Sequence, residues 1–260
     1  MAAVPLAAME YGSGSPLLIL HGLFGSARNW SSIAQRLAAT NRVFALDARN
    51  HGASPWADTM TYADMVGDVS TFRGAHGLGR VALIGHSMGG KTAMLVALHH
   101  ADAVERLVVV DIAPVSHPPV LAAYTRAMMA VDLTGVTRRA EVDRQLAAVI
   151  PDPVERAFLL QNLVFEEGGA RWRLNLPVIE RFMPEISGFP DLPAGLSFAG
   201  PTLFVAGERS GYVRPEHEPT IKRLFPNARI ARVPNAGHWL HAERADAFLA
   251  LVTPFLAGAA

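Results

Sequence analysis

The chain has 260 residues, enough for one α/β domain or two small ones, and half of them are hydrophobic, so a large core can form. Basic and acidic residues balance at 23 each, with no run of like charge, which argues against nucleic acid or an anionic membrane as the main partner. There is no cysteine, which excludes disulfides and thiolate metal sites and fits a reducing, cytoplasmic compartment.

The N-terminus, Met1-Ala2-Ala3-Val4-Pro5, lacks the basic region and long apolar run of a signal peptide, and no apolar stretch is long enough to span a bilayer. Residues 7–12 read as a short first strand. Pro16 to Leu20 is a continuous apolar run, as expected for a strand buried on both faces of a parallel sheet. It ends in His21-Gly22-Leu23-Phe24-Gly25-Ser26, whose glycines permit a sharp turn and can aim a backbone N–H at a site above the sheet. A helix over 28–39 and a strand over 42–47 follow. Ala48 to Pro55 is a polar, turn-rich loop whose expected role is to hold itself together by hydrogen bonds. Residues 61–77 form a helix with Tyr62, Met65, Val66, Val69 and Phe72 on one apolar face.

Val81 to Ile84 is the next apolar run, and it leads into Gly85-His86-Ser87-Met88-Gly89-Gly90 and then a helix-prone stretch to about His100. Strand, Gly-x-Ser-x-Gly turn and helix in that order are the context of a nucleophile elbow. A turn this tight forces the serine into strained backbone geometry, so its neighbours must be small. The hydroxyl is held above the end of the sheet at a helix N-terminus, where free N–H groups favour developing negative charge.

Arg106 to Asp111 is a strand, apolar until its final carboxylate. From Ile112 to Leu196 the pattern changes: prolines cluster, helices are expected near 119–132, 137–149, 153–163 and 177–186, and 171–175 reads as extended. This stretch is a helical lid, residues 115–195, inserted into a core of 1–114 and 196–260. Strands return at 201–207 and 228–233, with helices at 215–225 and 243–257. Strands alternating with helices indicate a doubly wound, mostly parallel sheet, in which functional groups gather beyond the carboxyl ends of the strands.

A serine hydroxyl needs a base to take its proton and a third group to orient that base. Of ten histidines, His238 follows Gly237 after the last strand and comes after both Ser87 and every candidate acid, the chain order such folds require. His21, His86 and His241 read as structural. The acid is Asp111, which closes an apolar strand and needs a partner there, or Glu208, which follows the strand ending at Gly207. Ser210 stands where an aspartate often would. The N–H groups of Leu23 and Met88, with Phe24 as a further candidate donor, would form an oxyanion hole.

His21-Gly22, Gly85 to Gly89 and Gly237-His238, together with Asp47-Ala48-Arg49-Asn50-His51-Gly52-Ala53-Ser54, the extension to Gly90-Lys91, Asp111-Ile112-Ala113-Pro114 and Trp172-Arg173-Leu174-Asn175, make the chain resemble an α/β-hydrolase of the serine esterase type. The narrower motifs are similar to those of the YbfF-type bacterial esterases and their mitochondrial relatives. The resemblance covers nearly the whole chain. It implies the triad Ser87, Asp111 and His238, and activity on carboxylic esters or acyl-CoA thioesters. The proline usual a few residues past the histidine motif is absent, Glu243 being followed by Arg244.

The leading expectation is a hydrolase of small, mainly uncharged esters, needing no cofactor and no metal, with Phe24, Phe182 and Trp239 contacting substrate. Met128, Met129, Phe158, Phe165, Phe182, Met183 and Phe189 of the lid supply apolar groups, some facing the serine. The lid arginines are interleaved with acids, a pattern of local ion pairs rather than a phosphate clamp, and this sets simple esters ahead of acyl-CoA. Thioester or lactone hydrolysis, perhydrolysis and carbon–carbon cleavage are alternatives on the same triad. A small-molecule receptor that retains the fold is the non-enzymatic alternative.

Overall fold

The computed structural model of the protein describes residues 3–258; Met1, Ala2 and the outer limits of the expected core at 1 and 260 lie outside the described residues. The strands are β1 (Ala8–Tyr11), β2 (Ser15–Leu20), β3 (Asn41–Leu46), β4 (Val81–His86), β5 (Val104–Val110), β6 (Leu163–Glu166), β7 (Gly169–Trp172), β8 (Thr202–Gly207) and β9 (Ala228–Val233). Seven of them form one sheet in the order β1-β3-β2-β4-β5-β8-β9. All neighbours are parallel except β1, which runs antiparallel to β3 with Ala8 opposite Leu46. The apolar runs read from the sequence are the central strands, buried on both faces. Leu18, Leu20, Leu107 and Val109 point into one apolar layer, and Leu17, Ile19, Val108 and Val110 into the other. This alternation across a strand is the period of two that a two-sided core demands.

The helices are α1 (Ser31–Leu37), α2 (Tyr62–Ala75), α3 (Met88–His99), α4 (Ala122–Ala130), α5 (Arg139–Leu146), α6 (Pro153–Leu159), α7 (Leu176–Arg181), α8 (Met183–Ser187), α9 (Glu218–Leu224), α10 (Leu240–Glu243) and α11 (Ala245–Leu256). One sheet face carries α2 and α3, the other α1 and α11. Thr61 starts α2 with a reciprocal cap: its hydroxyl accepts from Asp64 N–H at 3.1 Å, and the Asp64 carboxylate accepts from Thr61 N–H at 3.1 Å. The chain leaves β2 toward β3 on one side and returns to β4 on the other. That reversal places the loop after β2 and the turn after β4 side by side, the position where doubly wound sheets bind ligands.

Five helices and the β6–β7 pair, the segment expected as a lid, join β5 to β8, and their detail departs from expectation in two places. The helix expected over 153–163 stops at Leu159, and the chain passes through a tight turn into β6. β6 and β7 form an antiparallel hairpin with Leu163 opposite Trp172. Gly168 and Gly169, with φ of 109° and 134°, make that reversal. The helix expected over 177–186 is broken at Phe182 into α7 and α8. Pro184 has no N–H to continue the ladder and instead occupies the first turn of α8, where none is needed.

Candidate active site

Ser87 sits between β4 and α3 with φ 52° and ψ −119°, a conformation side chains rarely adopt. Its N–H donates to Val110 O at 3.1 Å and its carbonyl accepts from Lys91 N–H at 3.0 Å, so both ends of the turn are held. A Cβ on Gly85 would lie 2.3 Å from Gly89 O, which is why the turn closes only around glycine there. Five described residues other than glycine have positive φ, and Phe24, Ser87 and Asp111 are three of them. Strain costing about 1–3 kcal/mol per residue is therefore concentrated where the strand ends meet.

Asp111 follows β5, is fully buried, and has both carboxylate oxygens engaged. Oδ1 accepts from Gly207 N–H at 2.9 Å. Oδ2 accepts from the Ser210 hydroxyl and faces His238 Nδ1 at 2.7 Å. A carboxylate can only accept there, so Nδ1 carries the hydrogen and Nε2 is left with a lone pair. His86 Nε2–H donates to the His238 carbonyl at 3.0 Å, and the Tyr212 ring lies against the imidazole with centroids 4.2 Å apart. The first holds the His238 main chain and the second packs its ring. Among the described residues the Ser87 hydroxyl makes no side-chain hydrogen bond; such contacts tighten when substrate binds.

Ser87 and His238 line one cavity of about 160 Å³, together with Leu23, Phe24, Trp30, His86, Tyr212 and Trp239 from the core and Leu121, Tyr124, Glu155, Phe158 and Leu159 from the lid. The Phe158 and Trp239 rings meet at 5.3 Å, joining lid to core. The Tyr124 hydroxyl donates to Glu155, and burial with that carboxylate pushes the phenol up to about 12. Four histidines pack around the site as buried neutral rings. Burial lowers His51 and His241 to about 3 and depresses His21 and His86 as well. His241 stacks face to face on Trp30 at 4.1 Å.

The loop after β2 approaches Ser87 so closely that a Cβ on Gly22 would lie 3.1 Å from Ser87 Cβ. Met88 N–H is the first of α3 and has no partner inside the helix. Phe24 N–H is not free: it donates to His51 Nε2 at 3.2 Å. That corrects the expectation of Phe24 as a further oxyanion donor, because a donor already spent on a buried acceptor cannot serve a substrate. The Ala48–Pro55 loop is indeed a hydrogen-bonded support. Asp47 accepts from Ala27 N–H at 2.7 Å and Ala53 N–H at 2.8 Å, and buried Arg49 forms a fork with Asp68 at 2.6 and 2.7 Å.

Of the expected substrate contacts, Phe24 and Trp239 line the cavity and Phe182 does not. The α7–α8 corner that carries Phe182 is drawn toward the start of α2, where the Arg181 guanidinium reaches Asp58 O and the Tyr62 hydroxyl donates to Ile186 O at 2.7 Å. Glu208 points away from the histidine and accepts from Asn235 N–H at 2.8 Å on the surface. Of the lid residues singled out for their apolar side chains, Phe158 alone lines the cavity. Ser210, Tyr124 and Glu155 were not assigned a role from the sequence. Ser210 carried a usable signal, since it stands where a carboxylate is common; the lid pair carried none.

The description "alpha/beta hydrolase fold" matches residues 15–245 of the chain. The mouse (Mus musculus) sn-1-specific diacylglycerol lipase ABHD11 is 44% identical over 249 residues, covering 93% of this chain and 80% of that protein. Esterase YbfF of Escherichia coli is 32% identical over 249 residues, covering 96% of each. The solved structure of a marine microorganism esterase superposes with a TM-score of 0.94 at 38% identity, covering 97% of this chain and 100% of that one. With relatives of these kinds over nearly its full length, the chain is a carboxylic ester hydrolase, and it belongs to the α/β-hydrolase family.

Proposed function

We propose that the protein cleaves carboxylic esters of small, mainly uncharged substrates through an acyl-enzyme on Ser87. The observation that carries this reading is the 2.7 Å contact of His238 Nδ1 with Asp111, in a cavity that Ser87 shares with His238. In the first half-reaction Ser87 Oγ attacks the carbonyl carbon while His238 Nε2 takes the hydroxyl proton. Asp111 orients the imidazole and stabilises its cation. The N–H groups of Leu23 and Met88 receive the charge that develops on the carbonyl oxygen. The proton on His238 then passes to the departing alcohol. Water repeats the sequence on the acyl-enzyme and frees the acid.

The preference for uncharged substrates rests on the lining. No lysine or arginine lines this cavity, and Glu155 does; the smaller pocket that also touches Ser87 is lined by Lys91, whose Nζ is bonded to the Ser187 and Gly188 carbonyls. Four of the eight lid arginines are held in ion pairs, Arg126 with Glu180, Arg138 with Glu141, Arg156 with Asp143 and Arg171 with Glu166, and Arg139 and Arg181 donate to main-chain carbonyls. A CoA moiety would find no clamp for its phosphates there. A second reading, favoured by the 44% identity to a protein named as a diacylglycerol lipase, is a neutral glyceride ester, which satisfies the same lining. The reading also takes the enzyme as cytoplasmic, in keeping with a chain that has no cysteine.

Turnover of a chromogenic short-chain ester tests the reading. Ser87→Ala and His238→Ala should each lower kcat by about 10⁴-fold or more with folding retained. A series of acyl lengths on one neutral alcohol, alongside a diacylglycerol, separates the short-ester and glyceride readings.

A further inference from the structure

The segment from Gly22 to Gly25 is a four-residue turn closed by Gly25 N–H on Gly22 O at 2.9 Å. Its third residue, Phe24, has φ 61°, while Leu23 is not among the positive-φ residues. This is the signature of a type II turn, whose third position ordinarily takes glycine. A bulky residue keeps that conformation only where its surroundings impose it. Two contacts hold the Phe24 main chain from opposite ends. Its N–H donates to His51 Nε2 at 3.2 Å, and its carbonyl accepts from Asn162 Nδ2 at 2.8 Å.

The two holders come from different parts of the molecule. His51 belongs to the core loop, and its Nδ1–H donates to Arg49 O at 3.0 Å, which leaves Nε2 as an acceptor. Burial keeps the ring neutral and so preserves that acceptor. Asn162 belongs to the lid, at the turn between α6 and β6, and is buried. Its amide nitrogen also donates to Leu159 O at 3.2 Å, which locks the side chain to the end of α6. Leu23, whose N–H is the donor assigned to the oxyanion hole, lies in the same turn. The Leu23 N–H shares its peptide plane with Gly22 O, which accepts from Gly25 N–H at 2.9 Å, and Gly25 N–H shares its peptide plane with the Phe24 carbonyl that Asn162 holds, so turning the Phe24–Gly25 peptide would re-aim that donor.

We propose that Asn162 is a positioning residue through which the lid sets the oxyanion turn, so that the Leu23 N–H is aimed at the reacting carbonyl oxygen only while the lid is seated. This rests on the reading of Ser87, Leu23 and Met88 given above. The lid thus does more than wall the cavity: seating it completes the site.

The test compares Asn162→Ala, Asn162→Asp and Gln161→Ala with the unmodified enzyme. Gln161 is the adjacent lid residue and meets the core through Asn29 at 2.6 Å without touching Phe24. The readouts are kcat, KM and affinity for a boronic acid that forms a tetrahedral adduct with the serine. Both Asn162 variants should lose kcat and boronate affinity in parallel, on the order of 10- to 100-fold, with KM within about threefold. Gln161→Ala should behave as the unmodified enzyme. Retained kcat and boronate affinity in Asn162→Asp, or a raised KM with unchanged kcat, would overturn the proposal. If Asn162→Ala does not fold, the near-isosteric Asn162→Asp carries the same comparison. Fluorophosphonate labelling of the unmodified enzyme keeps the two readings apart. Without an adduct on Ser87 the catalytic reading fails, whereas an adduct on Ser87 with unaltered Asn162 variants defeats this inference alone.

Discussion

Ser210 donates its hydroxyl to Asp111 Oδ2, the same carboxylate oxygen that faces His238 Nδ1 at 2.7 Å. A hydroxyl from the turn after β8 and the imidazole of His238 thus converge on one carboxylate oxygen of the residue after β5. The position after β8 is the commoner home of the acid in this fold, and here it holds a serine bonded to Asp111, the carboxylate proposed as the acid.

That convergence ranks the carboxylates. Asp111→Asn should lower kcat by about 10⁴-fold, because an amide no longer enforces the tautomer and orientation of the base. Glu208→Gln should stay within a few-fold, since Glu208 holds only Asn235 N–H. Adding Ser210→Asp to Asp111→Asn should recover at least about tenfold of the loss, the new carboxylate being within reach of Nδ1. Ester turnover of the four proteins checks this, and a reversed ranking of Asp111 and Glu208 would move the acid.

Four buried histidines, with His117 also lowered to about 4, should weaken the fold in acid. His21, His51, His86 and His241 all have folded pKa values below 6.5, with burial the leading cause. As pH falls below about 6.5, the unfolded chain takes up protons that the folded chain refuses, so stability present at neutral pH is lost progressively. Urea midpoints at pH 7.5, 6 and 5 should fall in that order. His241→Phe should decline less steeply, because it keeps an aromatic face on Trp30 and removes one titrating ring whose Nδ1 has no partner. Parallel declines in the two proteins would contradict the assignment.

Lys91 acts at the other end of the pH scale. Its side chain is buried on α3 and donates to the carbonyls of Ser187 (2.7 Å) and Gly188 (2.5 Å), and burial pulls it down to about 7. Between about 7 and the unfolded value of 10.5 the unfolded chain holds the extra proton, so this residue makes stability rise with pH across that window. Lys91→Met should flatten the rise between pH 7 and 9.5 in urea unfolding. An equal rise in both proteins would show that Lys91 is not the titrating group.

The choice of leaving group follows from a cavity that none of the lid arginines lines. One acyl group offered on a neutral alcohol and on CoA should give the higher kcat/KM on the alcohol, with little response to salt. A CoA advantage that fades with salt and disappears in Arg171→Ala or Arg173→Ala would contradict the proposed cavity chemistry.

The parts of this account legible in the sequence are those governed by local rules. β2, β4 and β5 each carry an apolar run because both sheet faces are covered, and the glycines at 85 and 89 mark the elbow because a Cβ at either would meet main chain. Chain order points to His238, and the need of a buried carboxylate for a partner points to Asp111. What was not legible depends on packing between distant segments. The β6–β7 hairpin sits in a short stretch whose helical and extended patterns overlap until the two glycines reverse it. Phe182 is aimed by the α7–α8 break and by Tyr62 and Asp58, none of which its own neighbours reveal. The occupation of Phe24 N–H required knowing that His51, 27 residues away, folds over the turn.

Covalent capture of the nucleophile tests the central claim most directly. Incubation with a fluorophosphonate, followed by intact-mass and peptide mass spectrometry, should give a single adduct on Ser87. The adduct should be absent in Ser87→Ala and form far more slowly in His238→Ala, with both variants folded by circular dichroism. An adduct on another residue, or a folded Ser87→Ala that still turns over ester at the unmodified rate, would contradict the account.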